Sequence, residues 1–140
     1  MSLLKGFISV GKNTKVQPGV YVGKGRDIRI GSHCQINENV KLHAVDIGDY
    51  VMIAPGVTIL SRNHQFERTD IPMVMQGEQQ EEKVTVERDV WIGTNAVIMP
   101  GVRIAEGVII GAGAVVTKDC EAYGVYLGVP AKKLRSRRED

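Results

Sequence analysis

Residues 86–117 read VERDVWIGTNAVIMPGVRIAEGVIIGAGAVVT, and an aliphatic side chain returns at every sixth position: Val86, Ile92, Ile98, Ile104, Ile110 and Val116. Four of these are followed by a small residue, Gly93, Ala105, Gly111 and Thr117. Neither the 3.6-residue period of a helix nor the two-residue period of a simple strand accounts for the spacing. A six-residue unit fits a short strand plus a turn. Each aliphatic side chain then points inward and stacks on its equivalent one coil away, and three units close a triangular coil. The same spacing runs through Val10, Val16, Val22 and Ile28, then Ile30, Ile36 and Leu42, then Ile47, Ile53 and Ile59. Two small register shifts separate these runs.

Turn chemistry agrees with this reading. Pro-Gly falls at Pro18-Gly19, Pro55-Gly56 and Pro100-Gly101, and glycine supplies the left-handed backbone that a tight corner needs. Stacked coils pair every strand with the coil above and below, so backbone polar groups are satisfied along the prism. The persistence of the period weighs against an ordinary β-sandwich with regular turns. The expectation is an all-β parallel β-helix forming a single domain over 1–140.

The period breaks once. Residues 61–83, SRNHQFERTDIPMVMQGEQQEEK, are polar, lack the repeat and are too long for a corner turn. An excursion of that length inside a compact array is expected to carry function. Beyond Asp119 the repeat stops, and 120–140 is expected to form a cap. Within it, the stretch from Tyr123 to Arg138 reads as an extended segment followed by a short basic C-terminal helix that covers the open end.

Composition bounds the function. With 16 glycines and 5% aromatic residues, the apolar content comes from small and β-branched side chains. A net charge of +2 gives no reason to expect nucleic acid or a membrane surface as partner. Lys132, Lys133, Arg135, Arg137 and Arg138 cluster near the C-terminus, either as a solvated tail or as an anion-binding group. Cys34 and Cys120 match no metal or redox spacing and read as buried or incidental thiols. No apolar stretch is long enough to span a bilayer, and the start MSLLKGFISV lacks a small-residue cleavage site, so a cytoplasmic location is expected.

Three histidines are candidates for proton chemistry near neutral pH. His33, in IGSHCQ, falls at a corner and reads as a surface residue. His43 follows the inward Leu42 and could face a cleft. His64 opens the irregular excursion.

At IGDYVMIAPGVTILSRNH, ending at His64, and DVWIGTNAVIMPGVRIAEGVIIGAGAVVTKD, ending at Asp119, the chain resembles the hexapeptide-repeat acyltransferases. The resemblance is to the branch holding the galactoside and maltose O-acetyltransferases and the polysaccharide O-acetyltransferases. It runs from about Ile47 to the C-terminus, where LGVPAKKL is similar to the family's closing motif. It implies a left-handed β-helix, acetyl-CoA as co-substrate, no required metal, and direct transfer of an acetyl group to a sugar or polysaccharide hydroxyl. His64 coincides with the family's catalytic histidine, whose ring is oriented by a backbone carbonyl. Asn37 matches an acceptor-positioning residue, although an Asn ladder at a coil corner explains it equally. His43 stands near an acidic acceptor-site position of the sugar enzymes, which weakens any transfer of their specificity. Thr94 matches the residue whose backbone N–H meets the thioester carbonyl, and Trp91 lines the pantetheine channel in this reading. Ala112, Thr117 and Lys118 match positions along the CoA groove, and Lys132 and Arg135 match basic positions near the CoA phosphates. The family's groove lies between subunits, which implies a homotrimer with the 61–83 excursion reaching across the interface.

Other readings are an N-acetyltransferase acting on an amino sugar, nucleotide-linked or free, and a non-catalytic β-helix scaffold. A zinc hydrolyase of the carbonic-anhydrase type shares the β-helix, but His33, His43 and His64 lack the close histidine pair that it needs.

Overall fold

The computed structural model describes the backbone of 2–4 and residues 8–23 and 27–138 in full. Short strands follow one another around three faces. On the first face lie β1 (Ser2–Leu4) and β2 (Ile8–Val10). The chain continues through β3 (Lys15–Val16) and returns as β4 (Ile28–Ile30), β5 (Gln35–Ile36) and β6 (Lys41–Leu42). The next coil is β7 (Val45–Ile47), β8 (Met52–Ile53) and β9 (Thr58–Ile59). After the excursion come β10 (Val84–Val86), β11 (Trp91–Ile92) and β12 (Val97–Ile98), then β13 (Arg103–Ile104), β14 (Ile109–Ile110) and β15 (Val115–Val116). The last pair is β16 (Gly124–Leu127) and β17 (Lys132–Ser136).

From β4 to β15 every third strand pairs with its equivalent in the next coil. The first face runs β1-β2-β4-β7-β10-β13, the second β3-β5-β8-β11-β14-β16-β17, and the third β6-β9-β12-β15. All pairings are parallel except β1 with β2 and β16 with β17. Corner N–H groups continue the ladder: Gly93 donates to Ile110 O at 2.8 Å and Ala54 to Ile92 O at 2.9 Å.

Two inward rows fill each face. The sixth-residue row is fully buried from Ile36 to Ile110, and a second row lies two residues earlier: Val84, Val90, Ala96, Val102, Val108 and Ala114. Residues i and i−2 of a strand share a side, so one pleated strand delivers both to the axis. The resulting core is continuous from Ile8 to Tyr126. Glycine at the Pro-Gly corners has the expected backbone, with φ of +76° at both Gly56 and Gly101.

Two expectations need correction. Val16 belongs to the sixth-residue row but is 43% exposed, because β3 is the end strand of its face and has only β5 beside it. Residues 123–138 contain no helix. Gly128, at φ +96°, turns the chain back so that β17 pairs antiparallel with β16. A short, charge-rich segment has no apolar stripe to bury as a helix, whereas as a strand it satisfies the open edge of the second face. Residues 139–140 of the expected cap lie outside the described residues. The cysteines follow expectation: Cys34 and Cys120 are both buried and unpaired as disulfides, with Cys34 Sγ–H donating to Gly48 O at 3.1 Å. Among the described residues no helix is long and apolar enough to cross a membrane.

Candidate active site

The corner between the third and first faces carries the irregularity. Between β6 and β7 the chain turns it in two residues, His43 and Ala44; one coil later it leaves as an arm between β9 and β10. Backbone bonds close the arm at its base, where Glu82 N–H donates to Ser61 O at 2.6 Å. Further out, Gln79 N–H donates to Asn63 O at 2.9 Å and Gln65 N–H to Gly77 O at 2.8 Å. Between these rungs His64 and Glu78 form an antiparallel bridge. The arm is thus a laddered hairpin, a more ordered object than its polar sequence announces.

Its outer part is folded on itself. Gln76 Oε1 accepts from Arg68 N–H at 3.1 Å, and its Nε2 donates to Arg68 O at 2.8 Å and Ile71 O at 3.1 Å. A single 3-10 turn, Met73–Met75, follows. That turn brings the Met73 carbonyl to His64 Nε2 at 2.5 Å. A carbonyl only accepts, so Nε2 carries the proton and the lone pair resides on Nδ1. The ring is exposed.

A cavity of about 310 Å³ opens beside the base of the arm, with Tyr21, His43, Ser61, Arg62, Glu78 and Glu81 in its wall. Arg62 Nη1 pairs with Glu78 at 2.6 Å and Nη2 with Glu81 at 3.6 Å. Ser61, buried, donates its hydroxyl to Glu81 at 3.0 Å. Tyr21 meets His43 edge-on, ring centres 6.2 Å apart. Lys83 pins the arm's exit to Asp46 at 3.1 Å and Asp27 at 3.4 Å. Hydrogen bonding to Asp46 is the main reason its ammonium is held above the usual lysine range.

The remaining expected site residues fall into two groups. Thr94 and Ala112 occupy successive corners between the second and third faces, tied by Gly113 N–H donating to Thr94 O at 2.8 Å. Asn37 lies at the same corner two coils from Thr94, where its Nδ2 donates to Ile53 O at 2.8 Å. That bond braces the corner of the adjacent coil. Trp91, 48% exposed, faces outward from the second face beside that edge, in register with Met52 and Ile109. Lys132 and Arg135 lie on β17, the end strand of the second face. Thr117 and Lys118 follow β15 and belong with His43 and His64 at the corner between the third and first faces. One chain therefore sets these two groups on opposite margins of its third face. His33 lies on neither, exposed and stacked on Tyr50 at the corner between the first and second faces.

Sequence reading missed Tyr21, Arg62, Glu78 and Glu81. Arg62 and the two glutamates stand in the excursion as ordinary charges, and only the hairpin ladder brings the two legs together. Met52 and Ile109 carried a signal that was legible, since each immediately precedes an inward aliphatic residue, as Trp91 does. Among the described residues no group of three or more His, Cys, Asp or Glu side chains could hold a metal ion.

Known proteins share this architecture. The family described as Bacterial transferase hexapeptide (six repeats) matches residues 27–61 and 83–118, just over half of the chain, on either side of the arm. Galactoside O-acetyltransferase of Escherichia coli (strain K12) is 39% identical over 132 residues, 92% of this chain and 64% of that protein. The chain thus spans somewhat under two thirds of that relative's length. Among solved structures, a hexapeptide-repeat-containing acetyltransferase from Vibrio cholerae O1 biovar eltor, complexed with acetyl coenzyme A, superposes with a TM-score of 0.88 at 33% identity, covering 96% of this chain and 74% of that one. A variant of an N-acyltransferase from Bacillus cereus, in complex with dTDP-4-amino-4,6-dideoxyglucose and coenzyme A, gives a TM-score of 0.73 at 25% identity over 96% and 86% of the two chains.

Proposed function

The chain belongs to the bacterial transferase hexapeptide family, and from that premise we propose that it is an acetyl-CoA-dependent acetyltransferase acting on a sugar hydroxyl, with His64 as general base. The observation that carries the reading is the Met73 carbonyl on His64 Nε2, which supports an imidazole held in one tautomer, on an arm where the bridge partner of His64, Glu78, lines a cavity of small-molecule size.

The chemistry is a single displacement. His64 Nδ1 takes the proton of the acceptor hydroxyl as the hydroxyl oxygen bonds to the thioester carbonyl carbon. Negative charge gathers on the carbonyl oxygen, where the backbone N–H of Thr94 is the proposed donor. The C–S bond then breaks, and the histidine returns its proton to the departing thiolate. No covalent acyl-enzyme is formed. Trp91 and Ala112 form the wall for the pantetheine arm, and Lys132 and Arg135 meet the phosphates; Thr117 and Lys118 extend that groove. His43 and Asn37 flank the acceptor, Asn37 through the coil corner it braces.

Because Thr94 and Ala112 lie across the third face from His64, the working site is completed between subunits of a homotrimer. The arm's exposed tip, with Val74 82% and Met75 72% accessible, supports a neighbour-facing role. The test is CoA thiol release from acetyl-CoA with sugar, amino-sugar and nucleotide-sugar acceptors. Acceptor-dependent release lost in His64→Ala supports the reading, and a preference for amines transfers it to N-acetylation. If CoA does not bind, the fold serves as a scaffold.

A further inference from the structure

We propose that Gln76 is a positioning residue for acetyl transfer, acting through the Met73 carbonyl to hold the His64 ring. The inference rests on the reading of His64 as general base and adds the residue that fixes the ring's partner.

The Met73 oxygen accepts twice, from His64 Nε2–H at 2.5 Å and from the backbone N–H of Gln76 at 2.9 Å. A carbonyl oxygen has two lone pairs, so both donors are met at once. Where that oxygen points is therefore decided by the 3-10 turn Met73–Met75, which Gln76 closes. Packing within the described residues contributes little to that turn: none of its residues is buried, and Pro72 before it makes no side-chain cap. A single turn is not stable on its own in water.

The Gln76 amide supplies what packing does not. Its Oε1 accepts from Arg68 N–H and its Nε2 donates to Arg68 O and Ile71 O, tying the residues before the turn to the one after it. None of these bonds reaches the prism. The two legs of the arm are joined independently, by Gln65 N–H donating to Gly77 O at 2.8 Å and by the rungs below it. Loss of the amide should thus free the turn and the Met73 carbonyl while the hairpin and the β-helix stay. An imidazole whose Nε2 partner wanders spends less time with Nδ1 facing the acceptor, which costs rate rather than binding.

The test compares full-length Gln76→Glu and Gln76→Met with wild type and His64→Ala. Glu keeps the length of the side chain but loses the N–H donors, and Met loses the acceptor as well. Ring-nitrogen NMR of histidine-labelled protein, at a pH where imidazole is neutral, identifies the His64 signals by their loss in His64→Ala. Wild type should show the proton on Nε2 alone, and in both variants the two nitrogen signals should move towards each other as the tautomers mix. This readout needs no acceptor. Turnover of acetyl-CoA with methyl galactoside, glucosamine or UDP-glucose should show kcat lowered roughly tenfold to a hundredfold, with KM for acetyl-CoA unchanged. Adding either substitution to His64→Ala should cost nothing more, because Gln76 acts through that ring. Wild-type ring signals in both variants, a further loss in the His64→Ala background, or loss of CoA affinity in both variants overturns the inference; the last two would make Gln76 a general brace of the arm. Activity retained in His64→Ala instead overturns the general-base reading, and this inference with it.

Discussion

His64 Nε2 lies 2.5 Å from the carbonyl oxygen of Met73, across the tip of a hairpin that the residues between them close. The bond fixes the ring through the arm's own backbone, and among the described residues no carboxylate pairs with it. Replacing His64 by Ala should lower kcat by a factor on the order of 100 to 10,000 with CoA affinity preserved. Steady-state thiol release and CoA titration separate the two; a variant that keeps more than about a tenth of the activity would remove His64 from the base role.

Lys132 and Arg135 stand on an exposed end strand, Arg135 Nη1 donating to Ser136 O at 3.1 Å, and among the described residues neither forms an ion pair, while Lys133 pairs with Glu121 at 2.9 Å and Arg137 with Asp89 at 3.6 Å. Lys132→Ala and Arg135→Ala should each raise the KM for acetyl-CoA several-fold with little change in kcat, and added salt should weaken wild-type binding. Salt-insensitive CoA binding would contradict a phosphate role for these two.

Met73, Val74 and Met75 are 61%, 82% and 72% exposed side by side at the tip of the arm, a contiguous apolar patch of the kind that marks an interaction surface. Sedimentation should find a trimer, and Val74→Asp should dissociate it and abolish turnover. An active wild-type monomer would refute the shared site.

Ile98 is completely buried and Val16 is 43% exposed, although both occupy the same repeat position. Ile98→Ala should cost about 2–5 kcal/mol and Val16→Ala under about 1 kcal/mol, read from denaturant midpoints. Equal costs would mean that the second face extends past β3 in solution.

Burial raises the thiol pKa of Cys34 and pushes that of Cys120 up to about 12, with Asp119 adding to the latter. At pH 8 the native protein should react with a thiol reagent far more slowly than the denatured chain. Above the ordinary thiol pKa the unfolded chain has lost protons that the folded chain keeps. Stability is therefore full below that point and falls as pH rises above it, for Cys120 up to about 12, by at most about 1.4 kcal/mol per unit for each thiol. Midpoints that rise over that range would contradict this.

The fold was legible because its cause is local and repeated. Each six-residue unit states its own strand, corner and inward side chain, and Ile92, Ile98, Ile104 and Ile110 need no distant partner to define the period. His64 was legible too, as the histidine at which that period fails, and His43 as the residue that turns a corner after the inward Leu42.

What the tertiary structure alone decided involves groups that the repeat does not order. Arg62 and Glu81 are nineteen positions apart, and nothing in their spacing joins them until the hairpin ladder pairs the two legs of the arm. The C-terminal segment became a strand because the second face offered an open edge, a fact about the assembled prism rather than about KKLRS. The separation of Thr94 from His64 by a whole face is likewise a property of three-sided winding. Periodicity writes a backbone path into the sequence, whereas contacts between irregular segments depend on where that path brings them.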